Sequence, residues 1–278
     1  MRQSRSVRRL MLLLLASLLI GAAPPARAPQ RIVSLNLCAD QYLLALADPG
    51  QITALTRFAR DPEMSAAAAR AARLPMTKGS AEDVLALRPD LLIAAPGRTA
   101  GVLKHFDSRR RPATLDLSPA DSYAAVIEQV RQVAAAVGHP ERGEALIARM
   151  DARLARVSRA VGRGRVAAYY QRRGFLTGTG TLIDDLMTRL GLVNLATRLG
   201  KPPLAQVSLE EMALARPDLL IVETATDRVV DQGTEMLHHP VLGRIRRIRL
   251  RQAWTVCGGP AYVLATESLA RQLGSQAP

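Results

Sequence analysis

The chain is 278 residues long, with a formal charge of +14, 3% aromatic residues, two cysteines and four histidines. So basic a balance invites nucleic acid as a partner, but few aromatics and no recognised nucleic-acid motif exclude it, and the charge is read as a solvated, arginine-rich surface. Two cysteines are too few for a closed zinc site of four, and no G-x-S-x-G or H-E-x-x-H run occurs, so enzyme activity has no residues to stand on.

Taken from its start, the chain opens with Arg2, Arg5, Arg8 and Arg9, an apolar run from Leu10 to Ile20, and Ala26-Arg27-Ala28 at A-x-A spacing. That is the layout of a secretory signal over residues 1–28, cleaved near Ala28. The run is too short for a comfortable membrane span, and the expectation is a periplasmic protein. Losing the five arginines of that segment lowers the charge from +14 to +9.

Arg31 to Leu35 reads as a strand, Asn36-Leu37-Cys38 as its turn, and Ala39 to Ala47 as a helix that stops at Asp48-Pro49-Gly50. A second strand covers Ile52 to Leu55, and a polar, alanine-rich stretch with a short helix at Ser65 to Ala72 follows. Next comes Ser80-Ala81-Glu82-Asp83, two helical turns, and Arg88-Pro89-Asp90-Leu91-Leu92-Ile93. The same pattern returns as Ser208-Leu209-Glu210-Glu211 and Arg216-Pro217-Asp218-Leu219-Leu220-Ile221. In each copy a serine can cap the helix, acids fill the first turn, the proline ends it, and the apolar run suits a buried parallel strand. A long period seen only twice indicates two similar lobes rather than a solenoid.

The strand at 91–95 ends in Pro96-Gly97-Arg98, a strand at Ala113 to Leu117 follows, and a helix from Pro119 to Val137 completes the first lobe, residues 29–140. Glu141 to Val161 carries Leu146, Ile147, Met150, Leu154 and Val157 on one face, a stiff connecting helix assigned to 141–162. The second lobe, 163–278, opens with a strand at Arg165 to Tyr170, a long turn at Gln171 to Thr181 and a helix at Leu182 to Leu190. After the repeat, a strand carries Arg247, Arg249 and Arg251 alternating with Ile248 and Leu250. Trp254 to Val256 continues it, Cys257 to Pro260 is a turn, and Tyr262 to Leu273 closes the chain. Strand and helix alternate throughout, so the expected fold is α/β: two Rossmann-like lobes with parallel sheets.

Ligands of open α/β sheets bind outside the carboxyl ends of the strands. Across two facing lobes those ends carry Asn36, Leu37 and Cys38, then Phe58, Met76, Pro96 and Arg98, then Tyr170, Arg172, Arg173 and Phe175, and finally Leu204, Cys257, Gly258 and Pro260. Arg98, Arg172 and Arg173 can pair with carboxylate or catecholate oxygens. Cys38 and Cys257, one per lobe, either form a disulfide or remain two thiols of the cleft. Of His105, His139, His238 and His239, three sit in turns, so no metal site is expected. Gly178-Thr179-Gly180-Thr181 lacks a phosphate-loop ending and reads as a turn.

A secretion signal, two duplicated lobes, the opening Arg31-Ile32-Val33-Ser34-Leu35 and the two glutamate-bearing segments before Pro-Asp-Leu-Leu-Ile resemble the class III periplasmic solute-binding proteins of ABC importers. The likeness is to the cobalamin and ferric-siderophore receptors, over nearly the whole mature chain. It implies a monomer with no catalytic cofactor that delivers a metal chelate, whether ferric siderophore, cobalamin or haem, to a membrane permease. Glu82 and Glu210 are the positions that would meet permease arginines. Aromatic residues line the cleft in cobalamin receptors, and the aligned positions here are Met76, Ala95 and Leu204. The alternative is a haem or metal-chelate sensor or accessory protein not tied to an importer.

Overall fold

The computed structural model describes residues 27–275, so the expected signal lies outside the described residues except for Arg27 and Ala28. Five strands, Ile32–Ser34 (β1), Ile52–Thr56 (β2), Met76–Thr77 (β3), Leu91–Ala94 (β4) and Ala113–Asp116 (β5), make one parallel sheet in the order β3-β2-β1-β4-β5. The helices Leu37–Leu46 (α1), Ala68–Ala71 (α2), Ala81–Leu87 (α3) and Arg98–Leu103 (α4) connect them. Every residue of β1 and β4 is buried, because apolar clusters cover both faces of the sheet.

Two further helices follow, Tyr123–Ala136 (α5) and Pro140–Leu154 (α6). The second lobe contains Val166–Tyr169 (β6), Phe175–Thr177 (β7), Leu182–Arg189 (α7), Val193–Asn194 (β8), Leu195–Arg198 (α8) and Leu204–Gln206 (β9). It ends with Leu209–Ala215 (α9), Leu219–Glu223 (β10), Gln232–Glu235 (α10), Arg246–Leu250 (β11) and Tyr262–Gly274 (α11). Its main sheet is parallel, ordered β11-β10-β6-β8, while β7 and β9 pair antiparallel beside it.

The duplicated segment folds alike down to its dihedrals. Ser80 (φ −72, ψ 159) accepts the Asp83 N–H at 3.2 Å, and Ser208 (φ −72, ψ 164) accepts the Glu211 N–H at 3.1 Å. Arg88 and Arg216 end the helices in the left-handed region (φ 46 and 44), and the proline after each disfavours a further right-handed helical residue. The aspartate after the proline has its own task. Asp90 accepts the N–H groups of Gln30 (2.7 Å) and Arg31 (2.9 Å), and Asp218 accepts that of Val166 (2.7 Å). Each repeat therefore ties the first strand of its lobe to the repeat's own strand, β4 or β10.

The connection between lobes differs from the single helix expected over 141–162. The α6 helix ends at Leu154, 15 residues or about 22 Å. Beyond it the Gly162 N–H donates to Leu190 O (2.7 Å) and the Gly164 N–H to Gly191 O (2.8 Å). A Cβ at Gly162 would lie 2.6 Å from Gly191 O, so only glycine fits where the chain docks there. The α5 helix, expected to belong to the first lobe, also crosses. Tyr123 and Val126 join the second lobe's core, and Val130, Val133 and Ala134 join the first. Likewise Ile147 of α6 packs in the first core and Met150 and Leu154 in the second. The seam is thus two packed helices running in opposite senses.

Two local readings are also corrected. The stretch Gln171 to Thr181 is not wholly a turn, since it carries β7. Trp254 does not continue β11, because Gln252–Trp254 forms one turn of 3-10 helix.

Candidate functional site

At the carboxyl ends of the first sheet the strand-to-helix turns surround a recess of about 650 Å³. Asn36 and Leu37 reach it after β1, Arg57 and Phe58 after β2, Lys78 after β3, and Arg98 from the start of α4. Asn36 is there partly for structural reasons, since its Oδ1 caps α1 by accepting the N–H groups of Cys38 (2.6 Å) and Ala39 (3.2 Å). The Arg57 guanidinium stands 4.8 Å over the Phe58 ring. Among the described residues, Arg57, Lys78 and Arg98 have no carboxylate within 4.0 Å. Three unpaired cations beside an exposed aromatic ring favour an anionic ligand with a flat or apolar part.

Beneath this recess Asp40 is fully buried and accepts the Thr56 N–H (3.1 Å) and hydroxyl (2.5 Å). Burial pushes its carboxyl up from 3.8 to about 6, against the lowering effect of those bonds. In the second lobe the Tyr169 hydroxyl donates to Glu223 Oε1 (2.7 Å), where Gln171 Nε2 also donates (3.3 Å). Burial and then the Glu223 charge raise the Tyr169 phenol well above its ordinary range.

The expected cleft residues divide. Asn36, Leu37, Phe58 and Arg98 come together in the recess. Tyr170 does not belong to the cleft. Its side chain lies on the sheet face opposite Tyr169, 1% exposed, and its hydroxyl donates to Val207 O at 2.7 Å. Met76 packs against the first core, and Pro96 sits exposed in its turn outside the recess lining. Arg172 is ion-paired with Asp231, and the Arg173 carbonyl accepts Gln206 Nε2 at 2.8 Å. Phe175 and Leu204 project from the paired strands β7 and β9, 36% and 57% exposed.

Of the two states open to the cysteines, the disulfide is formed. Cys38 and Cys257 are bonded with Cα atoms 5.3 Å apart. Beside it the Tyr42 hydroxyl donates to Gly258 O (2.8 Å), and a Cβ on Gly258 would lie 2.3 Å from Ala120 O. Cys38, Cys257 and Gly258 are therefore packed into the seam between lobes. Pro260 lines a different groove, on the α6 flank.

Thr56, Arg57, Met64 and Lys78 line the recess and were not singled out from sequence. The signal was available for two of them, since Arg57 and Lys78 stand one and two residues from the expected Phe58 and Met76. Glu82 and Glu210 are exposed in the first turns of α3 and α9. Backbone N–H at the helix start and then the cap serine hydroxyl hold both carboxyls below the usual range.

Among the described residues no group of three His, Cys, Asp or Glu could hold a metal ion, and no helix is long and apolar enough to cross a membrane. His139 Nε2 meets Gln51 Oε1 at 3.1 Å and His238 Nε2 meets Thr226 O at 2.9 Å, both away from the recess.

The family model described as periplasmic binding protein matches residues 32–250. A vitamin B12-binding protein of Photorhabdus laumondii is 22% identical over 255 residues, 88% of either chain. The periplasmic heme-binding protein RhuT from Roseiflexus sp. RS-1, in apo form, has a TM-score of 0.68 at 25% identity, over 88% of this chain and 98% of that one. The heme binding protein HmuT gives 0.69 at 22%, over 92% of each chain. The vitamin B12 binding protein BtuF of Vibrio cholerae gives 0.63 at 16%, over 89% and 96%. The similar proteins are binding proteins, not enzymes.

Proposed function

This chain belongs to the periplasmic binding protein family, and from that premise we propose that it captures an anionic metal chelate between its lobes and delivers it to the permease of an ABC importer. The observation that carries the reading is the basic recess. Arg57, Lys78 and Arg98 lie unpaired around Phe58, suited to the carboxylate or catecholate oxygens of a ferric siderophore.

Haem and cobalamin, the ligands named for similar proteins, are weaker fits. All five tyrosines are buried, and no histidine lines the recess, so the recess offers neither residue to an open coordination position of haem iron. Met76, Ala95 and Leu204, the positions aligned with the aromatic residues of cobalamin receptors, are not aromatic. A chelate that brings its metal already saturated asks only for charge and shape.

Glu82 and Glu210 are assigned to the permease, one from each lobe, where their charge would steer docking. The test has two arms. Titrating the mature protein with ferric siderophores, cobalamin and hemin, followed by fluorescence of Trp254, should show saturable binding of an anionic ferric siderophore that Lys78→Ala/Arg98→Ala weakens about tenfold or more. Glu82→Ala/Glu210→Ala should abolish uptake in cells while binding persists. Saturable binding of hemin alone would overturn the chelate assignment, and unchanged uptake would turn the reading toward the accessory protein.

A further inference from the structure

A second groove, of about 450 Å³, lies on the flank of the seam and shares no lining residue with the cleft recess. Both lobes build it. Gln41 and Ala45 of α1 form one wall, Leu146, Arg149 and Met150 of α6 another, and Pro260 and Leu264 at the start of α11 a third. Ala66, Ala67 and Ala69 with Arg70 add to its lining, and its charged groups are all cations. Arg149 and Arg70 have no carboxylate within 4.0 Å among the described residues, though Arg70 donates to Leu44 O at 3.4 Å, whereas Arg153 is already paired with Glu267 at 2.7 Å. Gln41 is only 5% exposed, and its side-chain Nε2 has no acceptor. The 13-residue helix α11 begins beside the groove with no side-chain cap, leaving the positive end of its dipole uncompensated.

We propose that this groove binds a small monocarboxylate with an apolar body, of the medium-chain fatty-acid type. The carboxylate supplies the acceptor that Gln41 lacks, pairs with Arg149 and faces the start of α11. The hydrocarbon covers Ala45, Leu146, Met150 and Leu264. Inorganic phosphate would leave that apolar surface wet, and a neutral hydrocarbon would leave the cation and the amide unpaired. A volume of this size is within the range of small-ligand sites.

The experiment is calorimetric titration of the mature protein with sodium octanoate, sodium acetate and octanol. Octanoate is expected to bind at a single site about tenfold or more tightly than either acetate or octanol. Arg149→Met should weaken octanoate about tenfold or more, while melting as the wild type does because Arg149 is exposed. Arg98→Ala, in the cleft, should leave octanoate affinity unchanged. Absence of octanoate binding at millimolar concentration overturns the proposal, as does equal binding by Arg149→Met or loss of binding in Arg98→Ala.

Discussion

Breaking the Cys38–Cys257 bond should cost this protein more stability than any single side-chain deletion. The two residues are 219 apart, so the bond closes most of the mature chain into one loop of the denatured state. The chain-entropy relation puts the stabilisation from a loop that long at about 5 kcal/mol at 25 °C. For a chain of this size, each kcal/mol corresponds to roughly 2–4 °C, so Cys38→Ser/Cys257→Ser should melt about 10–20 °C below the wild type. Calorimetric melts of oxidised wild type, reduced wild type and the double variant measure this, and the last two should agree. Tyr42→Phe is the internal scale. It removes one bond to Gly258 at the same seam, worth about 1 kcal/mol, and should lower the melting temperature by only about 2–4 °C. A double serine variant no less stable than Tyr42→Phe would refute the argument that the bond acts through the denatured chain.

Asp40 should make stability fall as pH rises. Its folded value of about 6 lies above the ordinary 3.8, so its contribution is fully present below about pH 4 and lost as pH passes 6, about 3 kcal/mol in all. Asp40→Asn should remove that slope, and urea midpoints at about pH 4 and pH 7.5 that still differ as in the wild type would contradict it. Gly258→Ala forces a Cβ to within 2.3 Å of Ala120 O and should cost about 1–3 kcal/mol, read as a lower melting temperature. Asp90→Ala removes the acceptor of two backbone N–H groups and Asp218→Ala that of one, so chemical denaturation should show the larger loss for Asp90→Ala, each near 1 kcal/mol because both sites are exposed.

The lobes were legible where local chemistry decides structure. A serine cap, first-turn acids and Arg-Pro-Asp form a helix with a defined stop, and both copies obey it to within a few degrees. Sheet edges are not local. Met76–Thr77 joins β2 in parallel, but its counterpart Leu204–Gln206 pairs antiparallel with β7. Gly178 permits this, since a Cβ there would lie 2.3 Å from Pro202 O, and nothing in the short runs of β7 and β9 announces such a distant neighbour. The seam is not local either. Periodicity in α5 tells which face is buried, not against what, and here one stripe serves the second core at Tyr123 and the first at Val130.

The same limit explains the site. The strand-end rule places a ligand near a residue number, and a shift of one residue in a strand exchanges the two faces of the sheet. The strand-end rule points to Tyr170, whose hydroxyl instead donates to Val207 O, while the Tyr169 hydroxyl joins the polar group of Gln171 and Glu223. Arg57 stands beside the expected Phe58, and Lys78 two residues past Met76. The consequence is chemical, because Arg57 and Lys78 join the expected Arg98 as unpaired cations on the first-lobe wall, while Met76 and Tyr170 pack inward. Under the proposed reading, a wall of that kind selects a ligand by the charge it carries on its outside. Ligand choice would then be set by the short segments after β2 and β3, Arg57–Arg60 and Lys78-Gly79, while the duplicated segments that tie the strands within each lobe stay unchanged.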